Sequence, residues 1–234
     1  ELSYVRRGDD GLHIGSLTTH HTVEHDCHHQ TAQGFTVITD AMRWVGHLPI
    51  RVRGTIGGSI AHGDATAEWC LLAVLLGADI VVRSIRGRRT IPAEEFFLGY
   101  YSTALEFDEL ITEVHFPTSS PHASLTEYAQ RHGDFALAAA AAKLVIEDGA
   151  VVDGRVVLGG IAPVPVVADA ANTMLRVERP LTAGDVAACA DAVADSLILE
   201  DALQVDVSYM RGLVRHLVMQ ALRQAAGGLE MVRS

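Results

Sequence analysis

Two groups of residues stand at spacings that could do chemistry. The first is Thr55-Ile56-Gly57-Gly58-Ser59, followed shortly by Asp64. Glycines let the backbone take positive φ and let a ligand approach with no Cβ in the way. The hydroxyls of Thr55 and Ser59 can donate to phosphate oxygens, and successive backbone N–H groups add partial positive charge. The same residues also suit a tight turn between packed elements, and side-chain chemistry alone leaves both readings open. The pattern is neither G-x-G-x-x-G nor G-x-x-x-x-G-K-[ST], so neither the dinucleotide fingerprint nor the P-loop applies. Asp64 could accept a bond from a ribose or ribityl hydroxyl, or could cap a helix running from Ala65. The second group is the run from His20 to His29, with His20, His21, His25, His28, His29, Glu24, Asp26 and Cys27. His21 and His25 are four apart and share a helix face, as metal ligands can. HExxH is absent, and a metal site draws on more than one element, so the run reads as a solvated, histidine-rich helix face with no metal.

Other charged residues invite plainer readings. Glu94, Glu95, Asp108 and Glu109 suit surface and capping roles, and Arg83, Arg86, Arg88 and Arg89 mark an exposed hairpin tip, a solvated turn or a subunit contact. Arg131 to Asp134 reads as a turn in which Arg131 could pair with Asp134. Ser-His-Asp and Cys-His groupings meet only in space and are not readable from order. No catalytic acid or base is assigned.

The elements that must position these groups follow from hydrophobic periodicity. Strands are expected at Tyr4 to Arg7 and Leu12 to Leu17, with Thr18 or Thr19 capping a helix that holds the histidines. A helix follows from Phe35 to Val45, and Ile50 to Arg53 alternates like a strand end. The glycine loop leads to a buried helix from Ala65 to Leu76 that Gly77 closes. A hairpin spans Ile80 to Ile91, Pro92 opens a short helix, and Glu109 to Pro117 forms another strand. Pro117 to Ser124, rich in Pro and Ser, is the linker candidate. Beyond it three strands are expected, Leu125 to Arg131, Phe135 to Glu147 and Ala150 to Ile161. Asp148-Gly149 forms a hairpin tip, although the alanine run would also suit a helix start. Helices cover Val167 to Val177, Ala183 to Leu197 and Tyr209 to Ala226. The fold class is α+β in two parts, residues 1–117 and 123–226.

The whole chain bounds the function. It has 234 residues, 49% hydrophobic and 20% charged, which is ordinary globular composition. A net charge of -11 with no long Lys/Arg run excludes a nucleic-acid track or an anionic membrane surface. Three widely spaced cysteines, Cys27, Cys70 and Cys189, give no zinc or iron–sulfur pattern and suit a reducing, cytoplasmic compartment. No apolar run is long enough for a membrane helix. No signal peptide is seen, and the sequence opens without Met as though inside a domain, so residues preceding Glu1 are expected.

Taken in order, "DGLHIGSLTTH", "TIGGSIAHGDATAE", "RRTIPAEEFFLGYYSTALEFDELITEVHFP", "RHGDFALAAAAAKL" and "LGGIAPVPV" resemble the FAD-binding medium subunit of the molybdenum hydroxylases. That group includes bacterial carbon monoxide dehydrogenase and xanthine dehydrogenase. The resemblance covers nearly the whole chain. It implies the second subdomain of a vanillyl-alcohol-oxidase/PCMH-type FAD-binding domain, then a small C-terminal domain with a three-stranded antiparallel sheet and helices. It implies FAD, with its pyrophosphate between two glycine-rich loops, the second being Thr55, Ile56, Gly57, Gly58 and Ser59. Asp64 falls at an acidic FAD contact, Ile111 at a backbone contact to the flavin ring, and Glu127 near a polar residue beside the flavin. The first loop, of AGGxS type, is expected before Glu1, so weak or no FAD binding is expected of this stretch alone. The resemblance further implies a large molybdenum-cofactor subunit and a small [2Fe–2S] subunit in an (αβγ)2 assembly. Electrons then run from clusters to FAD to an external acceptor. Alternatives are a stand-alone flavin oxidoreductase and a non-catalytic subunit without FAD. Substrate and acceptor are not legible here.

Overall fold

In the computed structural model, residues 1–32, 34–131, 133–198 and 206–227 are described. The chain opens with a hairpin, Val5–Gly8 (β1) and Gly11–Gly15 (β2). Thr19 then caps the helix His20–Asp26 (α1) by accepting from Thr22 N at 3.2 Å. Thr18 instead exchanges bonds with the Tyr4 backbone, at 3.0 Å each. Two short helices follow, His28–Thr31 (α2) and Thr36–Ala41 (α3). The helix expected to reach Val45 stops early. Past Ala41 the backbone bonds tighten to i→i+3 steps, Trp44 N to Ala41 O and Val45 N to Met42 O.

The segment read as a strand end is helical, Leu48–Arg51 (α4). Pro49 lies in its first turn, where a fixed φ and a missing N–H do no harm. Arg51 ties the turn down by donating to Val45 O and Gly46 O at 3.2 and 2.9 Å. The glycine-rich stretch is likewise no open loop: it is the first turn of the helix Ile56–His62 (α5), capped by Thr55 and closed by Gly63 in the left-handed region. The buried helix is Glu68–Leu76 (α6), shorter than expected. Asp64 Oδ1 takes the Thr66 N–H at 2.8 Å and the Thr66 hydroxyl at 2.7 Å, a local alternative to helical bonding that delays the start. Asp64 therefore does not cap α6; Ala67 occupies that position.

Next come the hairpin Asp79–Ser84 (β3) and Gly87–Pro92 (β4), the turn Ala93–Phe96 (α7), and the pair Phe97–Gly99 (β5) and Ser102–Thr103 (β6). Leu110–Phe116 (β7) completes a five-stranded antiparallel sheet in the order β1-β2-β7-β3-β4. The arginines at the β3–β4 tip are paired. Arg89 grips Glu109 with two bonds of 2.7 Å, and Arg86 reaches Glu106 and Asp108 at 2.7 and 2.8 Å. The Glu109 carboxyl is held down to about 2, first by its bonds from Arg89.

The second sheet contains Ala123–Tyr128 (β8), Ala138–Glu147 (β9), Ala150–Gly159 (β10) and the two-residue edge Val166–Val167 (β11), in the order β11-β10-β9-β8. Asp169–Met174 (α8), Ala183–Ser196 (α9) and Val207–Ala225 (α10) follow. The alanine run is strand despite its helix propensity, because both faces are covered. Ala138, Ala140 and Ala142 pack into the core formed with α9 and α10. Ala139 and Ala141 face the opposite way, into the core of α3, α6 and the five-stranded sheet. Side chains alternate across a strand, so methyl groups on both faces let helices close in from each side. Ser124 and Thr126 on β8 fasten α10 by donating to Ala221 O and Leu217 O at 2.6 and 3.0 Å.

Candidate functional site

The first turn of α5 brings Thr55, Gly58 and Ser59 to one wall of a cavity of about 340 Å³. Asp64, Thr66 and Glu68 continue that wall, and His20 and Phe135 also line the cavity. Asp64, Thr66 and Phe135 also border a second hollow of about 330 Å³ toward Tyr100, Tyr101 and Pro163. The cavity therefore sits where the loop before β9 faces α5 and the start of α6.

Local hydrogen bonding decides what each residue offers. The Gly58 N–H is spent on Thr55 Oγ1 at 3.1 Å, the Ile56 N–H on Thr18 O at 3.1 Å, and the Gly57 N–H on Ser16 O at 2.9 Å. Ser59 N–H bonds Thr55 O at 3.0 Å. The turn thus presents few idle amides. It presents instead the Thr55 and Ser59 hydroxyls, whose protons have no partner among the described residues, and a Gly58 surface without Cβ. The two glycines have different reasons. A Cβ on Gly57 would stand 2.5 Å from Ser16 Cβ and 2.7 Å from Ser16 O, so it permits helix-to-strand contact. A Cβ on Gly58 would meet nothing closer than Thr55 Oγ1 at 3.2 Å, so its bareness serves the cavity side. Ile56 is wholly buried and anchors the turn in the core.

Acidic groups gather at one end. Glu68, which opens α6, is pushed up to about 7 by burial, with Asp64 adding to the rise. Glu127 on β8 is pushed up to about 8, chiefly by burial and then by Glu68. Its Oε2 is buried and has no hydrogen-bond partner among the described residues. Glu127 borders a smaller hollow with Trp44, Tyr128 and Arg131, and Gly133 lines both that hollow and the cavity. Held near neutral pH, these carboxyls are part-protonated and can donate as well as accept.

Ile111 sits in β7 opposite Val82, nearly buried in the core, and does not line the cavity. The Arg131 to Asp134 segment turns through Asp134 N to Arg131 O at 3.1 Å, with no side-chain pair between them among the described residues. His132 lies outside those residues. The histidine run divides: His21 and His25 bring their rings to 4.2 Å at the surface, whereas His20 is 4% exposed and faces inward. His20 and Glu68 were missed as site residues. A signal for the first was present in the i, i+3 spacing of His20 and Val23, the buried residues of α1, of which the first is a histidine. Glu68 could be seen as the lone carboxylate opening a helix whose other residues are all buried.

The groups on the cavity wall suit a flavin dinucleotide: the Thr55 and Ser59 hydroxyls and the bare Gly58 for a polar tail, the raised Glu68 carboxyl for a polar ring atom, and the exposed Phe135 at the rim. Comparison with known proteins agrees. The FAD binding domain of molybdopterin dehydrogenases matches residues 1–119, and the CO dehydrogenase flavoprotein C-terminal domain matches residues 123–225. The nicotine 6-hydroxylase medium subunit of Paenarthrobacter nicotinovorans is 35% identical over 96% of this chain and 78% of that protein. The carbon monoxide dehydrogenase medium chain of Hydrogenophaga pseudoflava is 28% identical over the same shares, 96% and 78%. Quinoline 2-oxidoreductase from Pseudomonas putida 86 superposes with a TM-score of 0.89 at 30% identity, covering 97% of this chain and 79% of that one. Cavity and likeness together carry one conclusion: the chain belongs to the FAD-binding medium subunits of the molybdenum hydroxylases.

Proposed function

We propose that this chain holds FAD in the cavity beside α5 and serves as the electron-transfer subunit of a molybdenum hydroxylase. The observation that carries the site is the convergence of Thr55, Gly58, Ser59 and Asp64 on one cavity. FAD supplies reversible one- and two-electron chemistry when bound, and the protein contributes binding, orientation and field. Thr55 and Ser59 donate hydroxyl protons to the polar tail. Gly58 lets that tail approach to backbone distance. Asp64, with Oδ1 committed to Thr66, keeps the other oxygen for a sugar or ribityl hydroxyl. Glu68 in the cavity and Glu127 in the adjoining hollow are both held up toward neutrality, so they offer hydrogen bonds without two full charges side by side. The backbone contact to the flavin ring that the resemblance implies for Ile111 lies outside the lining of this cavity and is kept as a proposal. No residue is assigned as catalytic acid or base.

In this reading, residues 1–117 are the FAD-binding unit and 123–226 the second unit. Substrate is oxidised in a large molybdenum-cofactor subunit, and electrons arrive through the [2Fe–2S] clusters of a small subunit, in an (αβγ)2 complex. The likeness to the medium subunit of nicotine 6-hydroxylase and the medium chain of carbon monoxide dehydrogenase supports such partners. Isolation of the protein from its source cells tests this. Molybdenum, iron and flavin are expected to co-purify with the chain and to reduce together when substrate is added. Flavin with neither metal would favour a stand-alone flavin oxidoreductase. Metals without flavin would leave a structural subunit.

A further inference from the structure

His20 stands apart from the other histidines. It begins α1, its backbone N–H bonds Gly54 O at 3.1 Å, and its ring lies between Trp69 and the cavity. The Trp69 indole N–H donates to His20 Nδ1 at 2.8 Å. An indole nitrogen only donates, so Nδ1 must be the acceptor and the ring proton must sit on Nε2. Burial, with Arg51 nearby, pulls the pKa down to about 4, so the ring is neutral and the tautomer is single at physiological pH.

The Nε2–H has no acceptor among the described residues, and the side chain lines the cavity beside Thr55, Gly58 and Ser59. The donor opens to the cavity, where solvent or a bound ligand can pair it. Gly54 keeps that edge of the ring clear: a Cβ there would lie 2.7 Å from Nε2 and 2.9 Å from Cδ2. A fixed tautomer, an open edge and an unpaired donor facing the cavity are more than core packing requires.

We propose that His20 is a FAD-binding residue, its Nε2–H donating a hydrogen bond to an acceptor oxygen of the bound dinucleotide, and that Trp69 is the positioning residue that keeps the proton on Nε2. The proposal rests on the reading of this cavity as the FAD site. Neutrality makes it a directional donor, unlike an Arg or Lys that attracts any anion at a distance.

The test uses the protein isolated with its partner subunits, stripped of flavin and titrated with FAD by flavin fluorescence. His20→Leu keeps the bulk and removes the donor, and is expected to weaken FAD binding about ten- to a hundred-fold. His20→Gln restores an N–H donor and is expected to recover most of that loss. A second readout does not depend on any variant folding. In wild-type protein carrying 15N-histidine, the His20 Nε2–H resonance is expected to shift downfield on adding FAD, with Nδ1 remaining pyridine-type. In Trp69→Phe the two nitrogens are expected to average between tautomers and the FAD-induced Nε2–H shift to shrink, a coupling to FAD that a hydrogen bond serving core packing alone would not show. Wild-type protein that binds FAD while His20→Leu binds it equally well, or an Nε2–H resonance indifferent to FAD, overturns this proposal and leaves the FAD site standing. Wild-type protein that binds no FAD overturns the site reading itself, and this proposal with it.

Discussion

Glu127 and His20 respond to pH in opposite directions. Glu127 titrates at about 8 in the folded chain, well above the ordinary glutamate value, because burial and Glu68 oppose its charge. Between those two values the folded protein holds a proton that the unfolded chain has released, so stability falls as pH rises across that window. Glu127→Gln removes the titration, and we expect the melting temperature at pH 8 to rise by about 4 °C or more, with little change at pH 5. Equal melting curves for both proteins at pH 8 would show that the carboxyl is not held up. His20 runs the other way: its folded value of about 4 means that the unfolded chain binds the proton first, and its contribution is lost as pH falls from about 6.5 toward 4. At this scale the sequence grouped Thr55, Gly58, Ser59 and Asp64 from local spacing, and the structure sets all four on one cavity. The sequence was not legible for His20 and Glu68, whose meaning depends on Trp69 and β8, 49 and 59 positions away.

At the scale of elements, α5 separates structural from functional glycine. Gly57→Ala forces a methyl group to within 2.5 Å of Ser16 Cβ, and should destabilise by about 1–3 kcal/mol with expression reduced. Gly58→Ala meets only the Thr55 hydroxyl at 3.2 Å, and should keep wild-type stability to within about 0.5 kcal/mol while FAD affinity drops. Thermal melts read the first effect and flavin titration the second; equal behaviour of the two variants would contradict the assignment. The turn was expected to be a loop because two adjacent glycines and a period too short to count hide a seven-residue helix. Ile50 to Arg53 misled for the same reason, four residues being too few to tell alternation from a single turn around Pro49. The start of α9 is fixed by a capping box that the sequence reading did not name: Thr182 accepts from Asp185 N at 3.2 Å and Asp185 answers the Thr182 N–H at 2.9 Å. Thr182→Ala should cost about 1 kcal/mol, seen as a melting temperature lower by about 2–4 °C.

Across the whole molecule, β9 is the seam. Its alanines reach the core of α9 and α10 on one face and that of α6 on the other, so the two sheets share a strand's thickness of side chains. A leucine at Ala141, fully buried, should overpack by about 1–3 kcal/mol and is expected to broaden the melt by loosening both cores together. The longer strands and helices were readable from periodicity and turn residues, whereas α4, α5 and the short strands β5, β6 and β11 were not. The alanine run was expected as strand with a helix start left open by propensity, and burial on both faces decides for the strand. This packing also delivers Phe135 to the cavity formed by α5 and α6, and sets Glu127 in the neighbouring hollow that shares Gly133 with it. The account therefore stands on whether that cavity holds the flavin. The most direct measurement is the amount of FAD released per chain from protein purified from its source cells, wild type beside Gly58→Val. The account predicts near-equimolar FAD in the wild type and a loss of most of it in the variant, with the melting temperature largely kept. Equal FAD in both proteins, or none in the wild type, would contradict it.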